Sequence, residues 1–322
     1  MGTPLLWIAF NLFVLASVAL DLGVFNRRLH KVSLREAGFF SLLWVGLSVL
    51  FGLGVLYYSG KQAGLEFFTG YLIEKALSVD NLFLFLVIFR TFAIDERLQH
   101  RMLEWGILGA LVMRGAMILA GAELIQRFSW VLYVFGAFIV YAGIHMLFVK
   151  KEKIQPEKSL IFRFASKHLR LTRDYEGAHF FVRSGGKLYA TPLFLTLLVI
   201  EITDITLAID SIPAIFGITQ DPFIVYTSNV FAILGLRAMY FLLAGVLGRL
   251  RFLTVGLSFV LTFIGAKMIA HKWMDIPEHI SLLVVAGILL FAPLACPSGL
   301  EWMEATLSTY GGVGKKRRNL GC

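Results

Sequence analysis

Two stretches of this chain carry acids inside otherwise apolar sequence. One reads Glu74-Lys-Ala-Leu-Ser-Val-Asp80-Asn81; the other reads Glu201-Ile-Thr-Asp204-Ile-Thr-Leu-Ala-Ile-Asp210-Ser211. Carboxylates, the Asn81 amide and the hydroxyls of Ser78, Thr203, Thr206 and Ser211 are hard oxygen donors. Such donors take Mg2+, Ca2+ or Mn2+ in preference to Zn2+ or Cu+. The set has no cysteine, and its nearest histidine in the run order is His145. The bases that accompany it are Lys75, Arg114 and Arg237. Five acids against three bases leave a surplus of two negative charges, which suits a divalent cation and repels an oxyanion. The other use of these charges is mutual pairing, with the bases neutralising carboxylates and locking helices together.

Helix geometry constrains the acids further. Residues six apart are rotated by about 600°, so Glu74 and Asp80 do not share a face of a regular helix, nor do Asp204 and Asp210. Pro213 has no N–H, which leaves the Ile209 carbonyl without its helical donor; the proline either breaks the helix or only kinks it. The expected ligand set pairs Asp80 with Asp210, assisted by Asn81, Ser211 and the Ile209 carbonyl. Glu74 and Asp204, about 9 Å along each helix, and Glu201 serve as further ligands or proton carriers. His145 and Lys267 lie near ends of apolar runs, where snorkelling to the interface accounts for them. Asp21, Glu66, Glu104 and Glu123 also lie near run ends and receive no role.

The elements that position these residues are membrane spans. The chain has 322 residues, 58% hydrophobic and 16% charged, with a mean hydropathy of +0.77. Soluble domains are usually about 45–50% apolar and about 25% charged. Nine runs approach the roughly 20 apolar residues that a bilayer core requires: about 4–25, 37–58, 64–89, 103–124, 128–149, 191–217, 223–247, 252–270 and 279–297. Such a chain is an all-α polytopic membrane protein. The first run lacks a charged leader and a small-residue cleavage pattern, so it reads as a retained helix.

The net charge of +9 orients the chain rather than marking a nucleic-acid partner. Alternate loops hold 23 of the basic residues, while the opposite loops hold only Lys61, Arg127 and Lys272. The positive-inside rule then places the N-terminus outside and the C-terminus inside. Ten of the 23 lie between Lys150 and Lys187. That hydrophilic segment ends in His179-Phe-Phe-Val-Arg-Ser-Gly-Gly-Lys-Leu-Tyr-Ala190, which reads either as two short strands around a turn or as a solvated connector. Cys296 and Cys322 form no CxxC pair. Neither an HExxH nor a GxSxG pattern occurs, and the chain is not read as an enzyme.

The acid motifs repeat in order. After the first comes Arg114 in Gly109-Ala-Leu-Val-Met-Arg114-Gly-Ala-Met, then His145; after the second comes Arg237 in Ala232-Ile-Leu-Gly-Leu-Arg237-Ala-Met, then Lys267. Runs three to five thus repeat as runs six to eight, and an odd number of spans per unit inverts the second. Inverted three-helix repeats are a transporter architecture with substrate bound at the midplane. The chain divides into two leading helices (1–63), a first repeat (64–149), a basic cytoplasmic loop (150–190), a second repeat (191–271) and a last helix with a basic tail (272–322). Eight charges within the spans would cost on the order of 20 kcal/mol unless paired or hydrated.

Gly70-Tyr-Leu-Ile-Glu-Lys-Ala-Leu-Ser-Val-Asp-Asn81, the run Glu201 to Phe216, and Thr219-Gln-Asp-Pro-Phe-Ile-Val-Tyr-Thr-Ser-Asn-Val-Phe-Ala-Ile-Leu-Gly-Leu-Arg-Ala-Met-Tyr-Phe-Leu-Leu-Ala-Gly245 resemble the TerC/Alx family of bacterial integral membrane proteins. The similarity runs from about residue 4 to 290. It implies a multi-pass protein of the bacterial cytoplasmic membrane, kinship with LysE-type exporters, and a historical link to tellurite resistance. The family's acidic positions fall on Glu74, Asp80, Glu201, Asp204 and Asp210. The function it implies is metal-ion handling, with export of Mn2+ foremost; carboxylates that bind metal and protons in turn make proton exchange the expected coupling, the ion being cargo and no cofactor being held permanently. The expected partners are the divalent ion and the lipid bilayer, with the 150–190 loop available to a cytoplasmic protein. The competing reading is a non-transporting membrane component of a tellurite or metal stress-resistance complex.

Overall fold

The computed structural model describes residues 2–25, 34–92, 94–148, 172, 177, 179–184, 187–244, 251–270, 273 and 276–291. Most of the basic 150–190 loop and everything beyond 291, including Cys296, Cys322 and the basic tail, lie outside the described residues. Among the described residues, ten helices and one hairpin appear in the order α1 (Pro4–Phe25), α2 (Leu34–Ser59), α3 (Lys61–Thr91), α4 (Glu96–Arg127), α5 (Val131–Phe148), β1 (Phe181–Ser184), β2 (Lys187–Ala190), α6 (Pro192–Phe216), α7 (Pro222–Leu234), α8 (Leu236–Ala244), α9 (Arg251–Ala270) and α10 (Glu278–Phe291).

Eight of the nine apolar runs each become one helix; the seventh becomes two. α7 and α8 are bent by 44° at their junction. Gly235, which caps α7, has Lys75 and Trp44 packed against it: a Cβ there would stand 2.8 Å from Lys75 Nζ and 3.3 Å from Trp44 Cβ. The bend withdraws the next-turn donors from the end of α7, and the Ala232 carbonyl accepts from Lys75 Nζ at 3.3 Å instead. Pro213, the break signalled by sequence, leaves α6 continuous to Phe216. It sits in the last turn, where few hydrogen bonds remain to be lost.

Two helix starts follow their local sequence. Thr191 precedes Pro192 at the head of α6, and Asp221 caps α7 by accepting from the Phe223 N–H at 2.9 Å, with Pro222 at the first helical position. The 181–190 hairpin forms, with Phe181 opposite Ala190 and Ser184 opposite Lys187.

Three helices, Leu34–Ser59, Leu98–Arg127 and Pro192–Phe216, are each long and apolar enough to cross a membrane, and the bent pair passes as a fourth span; Pro4–Leu20, Val131–Met146, Val255–Ala270 and Glu278–Phe291 are shorter apolar helices. α2 turns Leu42, Leu50 and Leu53 outward, as a lipid-facing helix does. Packing centres on α3 and α6, which touch each other; α3 also packs on α7, and α6 on α4. Among the described helices, the most extensive pair is α5 with α9. It closes to backbone distance: a Cβ on Gly143 would stand 2.8 Å from the Ser258 carbonyl, and one on Gly265 would stand 2.7 Å from the Gly136 carbonyl. Lys267 does not snorkel. It is buried in α9 and bonds Glu278 at 2.6 Å and Ser281 at 3.0 Å, both on α10.

Candidate functional site

Three helices converge on the guanidinium of Arg114, which is 1% exposed on α4. Nε and Nη2 donate to the two carboxylate oxygens of Asp204 at 3.2 and 3.1 Å, a forked pair. Nη1 meets a carboxylate oxygen of Glu74. With its amide oriented to satisfy both ends, Asn81 donates to the Leu77 carbonyl at 3.0 Å and accepts from Arg114 Nη2 at 3.1 Å.

The spacing explains the convergence. Glu74, Ser78 and Asn81 stand at i, i+4 and i+7 and form one stripe of α3; Asp204, Ala208 and Ser211 stand at the same spacing on α6. All six are buried. Glu74 and Asp204 therefore face the same guanidinium, whereas Asp210, six positions after Asp204, does not join it. Asp210 is half-buried and within electrostatic reach of His145 on α5. Ile209 beside it is 45% exposed. Asp80 belongs to α3, but its side chain lies outside the described residues.

Glu201, a turn before Asp204, lays its carboxylate against α4 at Gly109, where any Cβ would collide with it. Its Oε2 is buried without a hydrogen-bond partner, as are Oε2 of Glu74 and the hydroxyls of Ser78 and Ser211. Thr203 and Thr206 are occupied otherwise: they donate to the carbonyls of Val199 and Ile202 at 2.7 and 2.9 Å. Lys75 is turned away from the cluster, toward the Ala232 carbonyl. Two carboxylates (Glu74, Asp204) thus flank one guanidinium, and a third, Glu201, stands one turn before Asp204 against Gly109. Among the described residues, no three His, Cys, Asp or Glu side chains gather into a group that could hold a metal ion; the space between Glu74 and Asp204 is taken by Arg114.

Arg237, the counterpart of Arg114 in the sequence repeat, has a different partner. It donates to Glu104 at 3.2 Å; Glu104 also lies 3.0 Å from His100 Nδ1, and all three sit between α4 and α8. Glu104 received no role from sequence because it is near a run end. The signal that could have found it is the His100/Glu104 spacing of four, which puts both on one face of a helix. Beside them Tyr240 donates to Gln99 at 2.7 Å.

A bundle of apolar helices with a charged cluster sealed inside defines a multi-pass integral membrane protein. The chain belongs to the TerC family: the model of the "Integral membrane protein TerC family" matches residues 59–299. It is 49% identical over 289 residues to the "Uncharacterized membrane protein STKORF319" of Myxococcus xanthus, covering 90% of this chain and 91% of that one. It is 48% identical over 298 residues to the "Putative membrane-bound redox modulator Alx" of Salmonella typhi, covering 90% and 92% of the two chains. To the protein of the same name in Escherichia coli K12 it is 47% identical over 299 residues, covering 90% and 93%. No solved structure matches.

Proposed function

We propose that this protein is a secondary transporter that exports Mn2+ from the bacterial cytoplasm in exchange for protons. The reading takes nine spans, with the N-terminus outside and the C-terminus inside, and two inverted three-helix repeats. The observation that carries it is the Glu74–Arg114–Asp204 bridge, sealed from solvent and joining α3 to α6 through acids at matching positions of the two motifs.

Charge supplies the argument for a divalent cargo. Glu74 and Asp204 share the single charge of Arg114, and Glu201, one turn before Asp204, has its Oε2 buried without a partner; two negative charges thus remain uncompensated in a low-dielectric interior, where isolated charge is costly. A divalent cation compensates them, and so do two protons. Alternation between those two states is metal–proton exchange. The donors are oxygen only, which favours Mn2+, Mg2+ or Ca2+; family resemblance selects Mn2+ among them. Neither Asp210 nor the Ile209 carbonyl joins the Arg114 cluster here, so their part as ligands, with that of Asp80, belongs to another state of the cycle.

Packing supports the repeat. The Arg114/His145 and Arg237/Lys267 spacings imply an offset near 122 between the third helices of each unit, which carries Gly143 onto Gly265, Gly136 onto Ser258 and Val140 onto Thr262. Gly143 is in fact against Ser258 and Thr262, while Gly265 is against Gly136 and Val140. Exchange of the units maps one contact set onto the other. The cross-packing of α3 on α7 and of α4 on α6 is likewise exchanged.

The deciding measurement is flux in proteoliposomes with Mn2+, Ca2+ and Mg2+ in turn, with and without a pH gradient. Selective, gradient-driven Mn2+ movement is expected, lost in Glu74→Gln/Asp204→Asn and in Asp80→Asn/Asp210→Asn. Folded wild-type protein that moves no cation sinks the proposal. Undiminished flux in both double mutants sinks the site.

A further inference from the structure

Several buried hydroxyls in this bundle return a hydrogen bond to their own helix. Ser48, Thr69, Thr196 and Thr227 each donate to the carbonyl four residues earlier, at 2.8–2.9 Å. Asn229 on α7 does not, and it is the one uncharged side chain among the described residues with two orphaned polar atoms. It has no exposed surface, and both its Oδ1 and its Nδ2 lack a partner among the described residues. Reversing the amide does not satisfy both ends, as it does for Asn81. A buried amide without hydrogen bonds carries a desolvation cost that a folded protein ordinarily avoids, and a retained one signals a group held in reserve for a ligand.

Its neighbours place Asn229 beside the charged cluster. Ser228 lies against α3 at Gly70, where a Cβ would stand 3.1 Å from its hydroxyl. One turn later, the Ala232 carbonyl receives Lys75. On the other flank, Tyr226 lies against α4 at Gly115, 3.4 Å from where a Cβ would be. The 226–232 stretch of α7 therefore runs along residues 70–75 of α3 and beside residue 115 of α4. Glu74 and Arg114 belong to those stretches. Ser41 and Glu278 also carry an orphaned oxygen, but Ser41 lies in the first turns of α2 and Glu278 is engaged with Lys267 through its other oxygen. α7 is the helix that ends in the bend at Gly235, and interrupted helices are where membrane transporters place substrate ligands.

We propose that Asn229 is a neutral ligand of the ion site, its Oδ1 coordinating a hard divalent cation held with Glu74 while its Nδ2 donates to a neighbouring carboxylate. An amide oxygen is a competent donor to Mn2+, Ca2+ and Mg2+, and it adds no charge to a site already carrying surplus carboxylate. The inference rests on the cation-export reading and names a residue which that reading lacks.

The test is thermal unfolding of the purified full-length protein in detergent, with and without MnCl2, beside Mn2+ titration of the same samples. Without metal, Asn229→Ala is expected to unfold at or above the wild-type temperature, because an orphaned amide is gone. Its Mn2+-induced rise in Tm should shrink and its Kd weaken about tenfold or more, the scale seen when groups supporting a metal site are removed. Asn229→Asp, which keeps the oxygen, should recover the Mn2+-induced rise. A structural role gives the opposite pattern, a lower metal-free Tm with the Mn2+ rise intact, and overturns the inference. A wild-type protein that responds to no divalent cation overturns the export reading and takes this inference with it; a wild-type response that Asn229→Ala fully retains overturns this inference alone.

Discussion

Arg114 makes the bundle's interior electrically tolerable, and its removal should show this. Taking one partner from a buried ion pair strands the other charge, at about 3–5 kcal/mol. Arg114→Met strands both Glu74 and Asp204, so a large fall in thermal stability is expected. The triple change Arg114→Met/Glu74→Gln/Asp204→Asn should regain most of it, since a neutral interior needs no counter-charge. Arg114→Lys keeps the charge but loses the fork that grips Asp204, and should fall between. Arg237→Met supplies the comparison: Glu104 keeps His100 at 3.0 Å, so its loss should be smaller. Equal losses for the two arginines would contradict this account. The acids were legible in sequence because charge in apolar sequence is conspicuous. Their grouping was less so. A spacing of six drew attention to Glu74/Asp80 and Asp204/Asp210, while the stripes that meet run at four and seven.

At the scale of elements, the apolar runs foretold the helices because a bilayer leaves backbone groups no partner but their own helix. The bend escaped notice because Gly235 is one of 30 glycines in the chain, and nothing in sequence shows Lys75 and Trp44 pressing on it. Pro213 was the louder signal and had the smaller effect, being in the final turn of its helix. Glycines also set the closest helix approach. Leucine at Gly143 or Gly265 meets backbone atoms of the facing helix, which cannot rotate aside as a side chain does. Overpacking of this kind usually costs about 1–3 kcal/mol. Gly143→Leu and Gly265→Leu should therefore lower Tm by similar amounts, the similarity following from their exchanged environments. Gly46→Leu, with nothing within 4 Å of its would-be Cβ, should leave Tm nearly unchanged. A sharp asymmetry between Gly143→Leu and Gly265→Leu would argue against the two-fold relation.

The whole molecule poses the question of sides, which export direction depends on. α4 runs from Glu96 to Arg127, 32 residues, or about 48 Å of helix, enough to cross a bilayer. At its start, Arg101 lies over the Phe180 ring, 5.4 Å from its centroid, and Trp105 packs edge-on to the same ring, so the β1–β2 hairpin covers that end. At its far end comes the turn holding Ser129. Leu188 of the hairpin is 58% exposed, and Ser129 is exposed too; the two mark opposite ends of α4, and the proposed topology puts them on opposite sides of the membrane. Basic residues then decide which side is which, since they crowd the segment leading into the hairpin and nearly vanish from the loops on Ser129's side. In a Cys296→Ala/Cys322→Ala background, an impermeant maleimide applied to intact cells should label Ser129→Cys. Leu188→Cys should react only after lysis. The reverse pattern would invert the molecule and turn a proposed exporter's cytoplasmic face outward. Equal labelling of both in intact cells would deny that α4 crosses the membrane, and would remove Arg114 from the depth at which its pairing with Glu74 and Asp204 has the energetic weight argued for it.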